Sequence, residues 1–89
     1  MVDEELFCIY FPTRDKYQAA EKREREAVPG LMVFRQIEMA MTCMAALDKP
    51  GAFPKKMKQS EMVALCKERG FCGSLMFMDD PDHIETVYF

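Results

Sequence analysis

Leu6-Phe7-Cys8-Ile9-Tyr10-Phe11 near one end of the chain and Ser74-Leu75-Met76-Phe77-Met78 with Ile84-Glu85-Thr86-Val87-Tyr88-Phe89 near the other decide the fold. The first and last runs are rich in aromatic and β-branched side chains, the middle one is apolar, and all are bounded by turn formers, which reads as strands. Pro12 stops the first run, since proline lacks a ladder donor. Asp79-Asp80-Pro81-Asp82-His83 separates the other two as a turn, so residues 74–78 and 84–89 read as a hairpin. A sheet assembled from both ends of 89 residues makes residues 1–89 one compact domain.

Between these strands the pattern turns helical. Thr13 is a candidate N-cap for a helix over residues 14–28, RDKYQAAEKREREAV, with Glu21–Arg25 and Lys22–Glu26 spaced for i,i+4 ion pairs. Its apolar stripe is thin, comprising Tyr17, Ala20, Ala27 and Val28. Pro29-Gly30 breaks the chain. Residues 31–48 carry Phe34, Ile37, Met41, Met44 and Leu47 at three- and four-residue steps, the pattern of a core helix, although Leu31 to Phe34 also fits a short strand. Residues 49–56 hold two prolines and a glycine and read as a loop, with Phe53 turned back to the core. A last helix over 58–69 turns Met62, Leu65 and Cys66 inward and ends at Gly70, a good left-handed C′ residue followed by Phe71 as its apolar contact.

The expected fold is therefore α+β. It has a small three-stranded, mainly antiparallel sheet in the order β-α-α-α-β-β, with the helices packed on it. Three intervening helices set the first strand parallel to the second and antiparallel to the last, which takes the middle of the sheet. Period-two alternation puts Leu6, Cys8 and Tyr10 on one face and Phe7, Ile9 and Phe11 on the other. If the helices stack on one face, Phe7, Ile9 and Phe11 form an exposed apolar surface of the kind that marks a partner or self-association site. If a helix wraps to the second face, they are core.

Composition narrows the function classes. Hydrophobic residues at 49% and charged residues at 30% describe an ordinary globular chain and argue against disorder. The net charge of −3, from 12 basic and 15 acidic residues, argues against nucleic acid, whose binders neutralise phosphates. It suits a basic protein partner. No run approaches the ~18 apolar residues of a membrane span. Asp3, Glu4 and Glu5 stand where a signal peptide would be basic, so the four cysteines read as free thiols in a reducing, cytoplasmic setting. Nine methionines give the chain adaptable core filler, a property shared by adaptable binding surfaces.

The chemistry-bearing residues are sparse. Cys8, Cys43, Cys66 and Cys72 lack the paired short spacing of a structural zinc site. Cys72, beside Gly73, reads as the most exposed thiol. His83 is the sole histidine, so any Cys–His pair must use it. The Asp79-Asp80-Pro81-Asp82 turn lacks the bend glycine and distal glutamate of an EF-hand loop. Lys55, Lys56 and Lys58 read as a solvated basic face. No glycine-rich phosphate loop is present.

The expectation is thus a small non-enzymatic, protein-binding module of inhibitor or adaptor type, without cofactor or metal. It would contact a protein partner, or a second copy of itself, through Phe7, Ile9 and Phe11, with Asp79, Asp80 and Asp82 as a charged rim. Inhibitors that mobile elements direct at host enzyme complexes are one such class, named here by association only. The alternative expectation is a thiol- or zinc-dependent protein using Cys66, Cys72 and His83.

Overall fold

The structure is a computed structural model and describes residues 2–20 and 29–89. Among the described residues it is α+β, with two helices on a six-stranded mixed sheet. In chain order the elements are β1 (Glu5–Phe11), β2 (Lys16–Tyr17), β3 (Gly30–Phe34), α1 (Ile37–Leu47), β4 (Phe53–Lys58), α2 (Gln59–Arg69), β5 (Ser74–Phe77) and β6 (Glu85–Tyr88).

β1 is the organising strand. β4 runs antiparallel along one side of it, from Glu5 opposite Lys58 to Tyr10 opposite Phe53. Its other side is shared, with Phe7 and Cys8 opposite Phe34 and Val33 of β3, and Tyr10 and Phe11 opposite Tyr17 and Lys16 of β2. Residues 18–20 then wedge between β1 and β3, where Gln18 donates its N–H to Ile9 and Ala20 donates to Gly30. β3 continues the sheet parallel to β5, and β5 closes it antiparallel to β6.

This topology corrects the three-stranded, three-helix expectation in four places. Arg14 donates to the Phe11 carbonyl in a turn with Pro12 at its second position, and Asp15 follows at φ 49°. That turn folds residues 16–17 back on β1, so strand pairing replaces the expected helix there. Residues 21–28, with the expected Glu21–Arg25 and Lys22–Glu26 pairs, lie outside the described residues. Leu31 to Phe34 take the strand option, and every residue of β3 is buried, as suits an apolar run in the middle of a sheet. Phe53–Lys58, expected to be mostly loop, pair with β1 despite Pro54 because β4 lies at an edge of the sheet. Finally, β3 occupies the place expected for the last strand, so β1 runs antiparallel to β5 and parallel to β6. The hairpin of β5 and β6 forms as expected.

Each sheet face has its own helix. Leu6 and Cys8 join Leu31, Val33, Leu75 and Phe77 under Met62 and Cys66 of α2. Ile9 and Phe11 join Met32 and Phe34 under Ala40 of α1, with Met44 and Leu47 half-buried at the margin. Burying a side chain of this size contributes about 1.5–3 kcal/mol each, so the two clusters together drive folding. Gly30 is required where β3 meets β5, because a Cβ there would lie 2.5 Å from the Met76 Cγ and 2.8 Å from the Ser74 Oγ. Gly70 ends α2 at φ 66° and donates its N–H to the Cys66 carbonyl, as its sequence position predicts.

Candidate functional site

The two-sided packing settles where the expected contact residues lie. Ile9 is fully buried, Phe11 is buried and Phe7 is half-buried, all on the face covered by α1. They are core, because α1 crosses the face that the sequence left open. Phe53, expected to tuck inward, is 57% exposed at the start of β4.

Among the exposed large apolar side chains, which include Val2, Phe53 and Tyr88, α1 contributes Met41 and, in part, Ile37. Its eleven residues, IEMAMTCMAAL, include one charged side chain, Glu38, yet only Ala40 is fully buried. Ala40, Cys43, Met44 and Leu47 face the sheet. Met41, 55% exposed, and Ala45 face outward beside Glu38 and Thr42, with Ile37, 37% exposed, at the margin. Of the expected core stripe, Met44 and Leu47 face the sheet, Phe34 belongs to β3, Ile37 lies at the margin and Met41 faces outward.

The acidic turn sits beside the start of this helix. The Asp79 carboxylate accepts the backbone N–H of Arg35 at 2.9 and 3.0 Å and that of Gln36 at 3.2 Å. Asp79 therefore caps the entry to α1 and ties the β5–β6 connection to it. Asp80 orders the turn, its side chain accepting the Asp82 N–H at 3.0 Å and its carbonyl accepting the His83 N–H at 3.1 Å. Glu38, Asp80 and Asp82 remain exposed. The ridge of Ile37 and Met41 thus has acidic side chains near its N-terminal end.

The thiols lie elsewhere. Cys8, Cys66 and Cys72 are all buried in the cluster under α2, which corrects the reading of Cys72 as exposed. The Cys66–Cys72 hydrogen bond, with burial, pushes the Cys72 thiol up, and burial pushes Cys8 up to about 12. Cys8 and Cys72 therefore stay protonated near neutral pH and are poor nucleophiles, while the same hydrogen bond lowers the Cys66 thiol. His83 is 85% exposed at the turn, with its Nδ1 3.8 Å from Asp80. Among the described residues no three His, Cys, Asp or Glu side chains are grouped to hold a metal.

A fourth constellation was not foreseen. Tyr10 and Tyr17 pack with ring centroids 4.7 Å apart, and Phe71 lies 6.1 Å from Tyr17. Lys55 donates to the Tyr17 hydroxyl at 3.0 Å and sits 4.5 Å from the Tyr10 ring centre. Asp15 accepts the Tyr10 hydroxyl at 2.8 Å and pairs with Arg69 at 3.1 Å. The Tyr17 hydrogen bond raises the Lys55 ammonium, and the Tyr10 hydrogen bond lowers Asp15. A cavity of about 270 Å³ beside it is lined by Asp15, Lys16, Tyr17, Arg69 and Phe71. Lys55 and Arg69 already have partners here, so the cluster fastens the β1–β2 hairpin and β4 to the end of α2. The sequence signal that could have found it is the β1 alternation, which places Tyr10 on the α2 face. Assigning Tyr17 to a helix concealed its partner.

No family model, curated protein or solved structure matches the chain. Among the described residues no helix is long and apolar enough to cross a membrane.

Proposed function

We propose that the chain is a small non-enzymatic protein-binding module whose contact surface is the outward side of α1, and which works by occupying a surface of a larger protein as an adaptor or inhibitor. The observation that carries this reading is the mismatch between the composition of α1 and its burial. Met41 stands 55% exposed with Ile37 partly covered beside it, next to Glu38 and Thr42 on the outer side of a helix whose other positions are apolar. Methionine suits such a surface because its flexible side chain adapts to the contour it meets. Glu38, Asp80 and Asp82 supply an acidic rim, so the fitting partner offers an apolar groove flanked by Lys or Arg. Asp80 and Asp82 keep the rim role read from the sequence, Asp79 serves as a cap, and Ile37 and Met41 replace Phe7, Ile9 and Phe11 as the apolar contact.

The test is capture of the partner from lysate of the source organism, with reductant present, using the wild type and an Ile37→Glu/Met41→Lys double variant. Met41 is an exposed position, where a substitution changes stability by within about 0.5 kcal/mol, and circular dichroism checks that the double variant, with Ile37 partly covered, is folded. The reading predicts one stoichiometric protein partner, lost in the folded double variant. Equal capture by both proteins contradicts it.

A further inference from the structure

β4 and β6, at opposite borders of the sheet, differ in a way that bears on self-association. β4, paired only with β1, carries Pro54 together with Lys55, Lys56 and Lys58, the residues that keep an open edge from adding another strand. β6 has neither proline nor lysine, and only its four-residue length and Glu85 limit it as an edge. Its sequence is Glu85-Thr86-Val87-Tyr88, its one charge is engaged by Arg35 at 3.4 Å, and Tyr88 is 72% exposed. Among the described residues no strand lies on its outer side.

The direction of its backbone groups follows from one hydrogen bond. Phe89 donates its N–H to the Gly73 carbonyl at 3.2 Å, inward across the β5–β6 pair. Alternation turns the N–H and C=O of Val87 inward as well, and those of Thr86 and Tyr88 outward. Two outward residues, one apart, offer two donors and two acceptors to a neighbouring strand.

We infer that two copies of this chain pair through β6, antiparallel about a two-fold axis at Val87, with Thr86 of each copy opposite Tyr88 of the other. This register makes four backbone hydrogen bonds and is self-complementary, as an isologous interface requires. It sets Glu85 opposite Phe89 of the second copy, so the only charge of the strand never meets its own like. A shift of the axis to Thr86 would bring the two Glu85 side chains closer together and opposite Val87. The contact is a short strand pair, below the size of a standard interface, so the dimer is weak and depends on concentration. It is separate from the α1 surface, and Met41→Lys leaves it intact.

Sedimentation velocity of the full chain over a ~100-fold concentration range tests it. The expected result is a monomer–dimer equilibrium that Thr86→Pro weakens by at least ~10-fold. The Thr86 N–H points outward, so proline there removes no bond to β5, and circular dichroism checks that the variant is folded. Hydrogen exchange on the wild type gives a second readout that needs no substitution. The Thr86 and Tyr88 amides gain protection as concentration rises, while the Val87 amide does not change. A chain that stays monomeric, a folded Thr86→Pro that dimerises like wild type, or exchange at Thr86 and Tyr88 independent of concentration overturns the inference.

Discussion

The Asp79 carboxylate holds the backbone of Arg35 with both oxygens, at 2.9 and 3.0 Å, across 44 residues of sequence. It joins the turn after β5 to the entry of α1. The Arg35 guanidinium meanwhile lies 4.1 Å from the Phe77 ring centre and reaches Glu4 and Glu85. Gln36 makes no side-chain cap, and Asp79 instead holds the two backbone N–H groups, of Arg35 and Gln36, that lead into the helix.

Asp79 should therefore matter more to stability than its two neighbours in the turn. Asp79→Ala is expected to cost about 1–2 kcal/mol, the range for losing an N-terminal cap acceptor. Asp80→Ala and Asp82→Ala, at exposed positions, should each cost under about 0.5 kcal/mol. Urea denaturation of the three variants measures the difference, and three equal midpoints would contradict it.

Three exposed carboxylates give the fold an acid-sensitive margin. Asp3 is lowered by the Ser60 hydroxyl and N–H, Glu5 by Lys56, and Asp15 by Tyr10 and Arg69. A group lowered on folding stabilises above its unfolded value, here 3.8 for Asp and 4.5 for Glu, and loses that contribution as pH falls through the folded value. Tyr10 works in the opposite sense. Its hydrogen bond to Asp15 raises it above 10.0, so its contribution is present below that pH and lost as pH rises through the folded value. Tyr10→Phe should flatten both margins, reducing the loss of stability below pH 3.8 and above pH 10.0 relative to wild type. Urea midpoints across the pH range, unchanged in shape in the variant, would refute this.

Thiol labelling separates Cys43 from the other three cysteines. Cys43 is half-buried on α1, whereas Cys8, Cys66 and Cys72 are in the core under α2. A thiol reagent at mildly alkaline pH should modify Cys43 first, and the others only as the chain unfolds. Cys72 reacting as fast as Cys43 would show that the end of α2 opens, and would reopen the thiol-based alternative.

The sequence made the strand segments at both ends, the β5–β6 hairpin, α2 with its Gly70 stop, and the face alternation of β1 legible, because each rests on local period and turn chemistry. What it hid depends on contacts distant in sequence. Leu31-Met32-Val33-Phe34 satisfies both the helical and the strand pattern, and only its burial between β1 and β5 decides in favour of β3. β4 reads as loop because Pro54 and three lysines are poor strand formers, and the six-residue register with β1 outweighs that preference. The outward turn of Met41 was hidden as well. Glu38 and Thr42, four residues apart, do mark the outer side, but so short a polar stripe is masked by the apolar steps at Ile37, Met41 and Met44.

The central claim is that the outward side of α1 meets a protein partner. Its most direct measurement places the photo-crosslinking residue p-benzoylphenylalanine at position 41, and in a control at the exposed position 67 on α2, in otherwise wild-type protein within the source cells. A discrete adduct with one protein from position 41, absent from position 67, is the predicted result. No adduct from position 41, or the same adducts from both positions, would contradict the account.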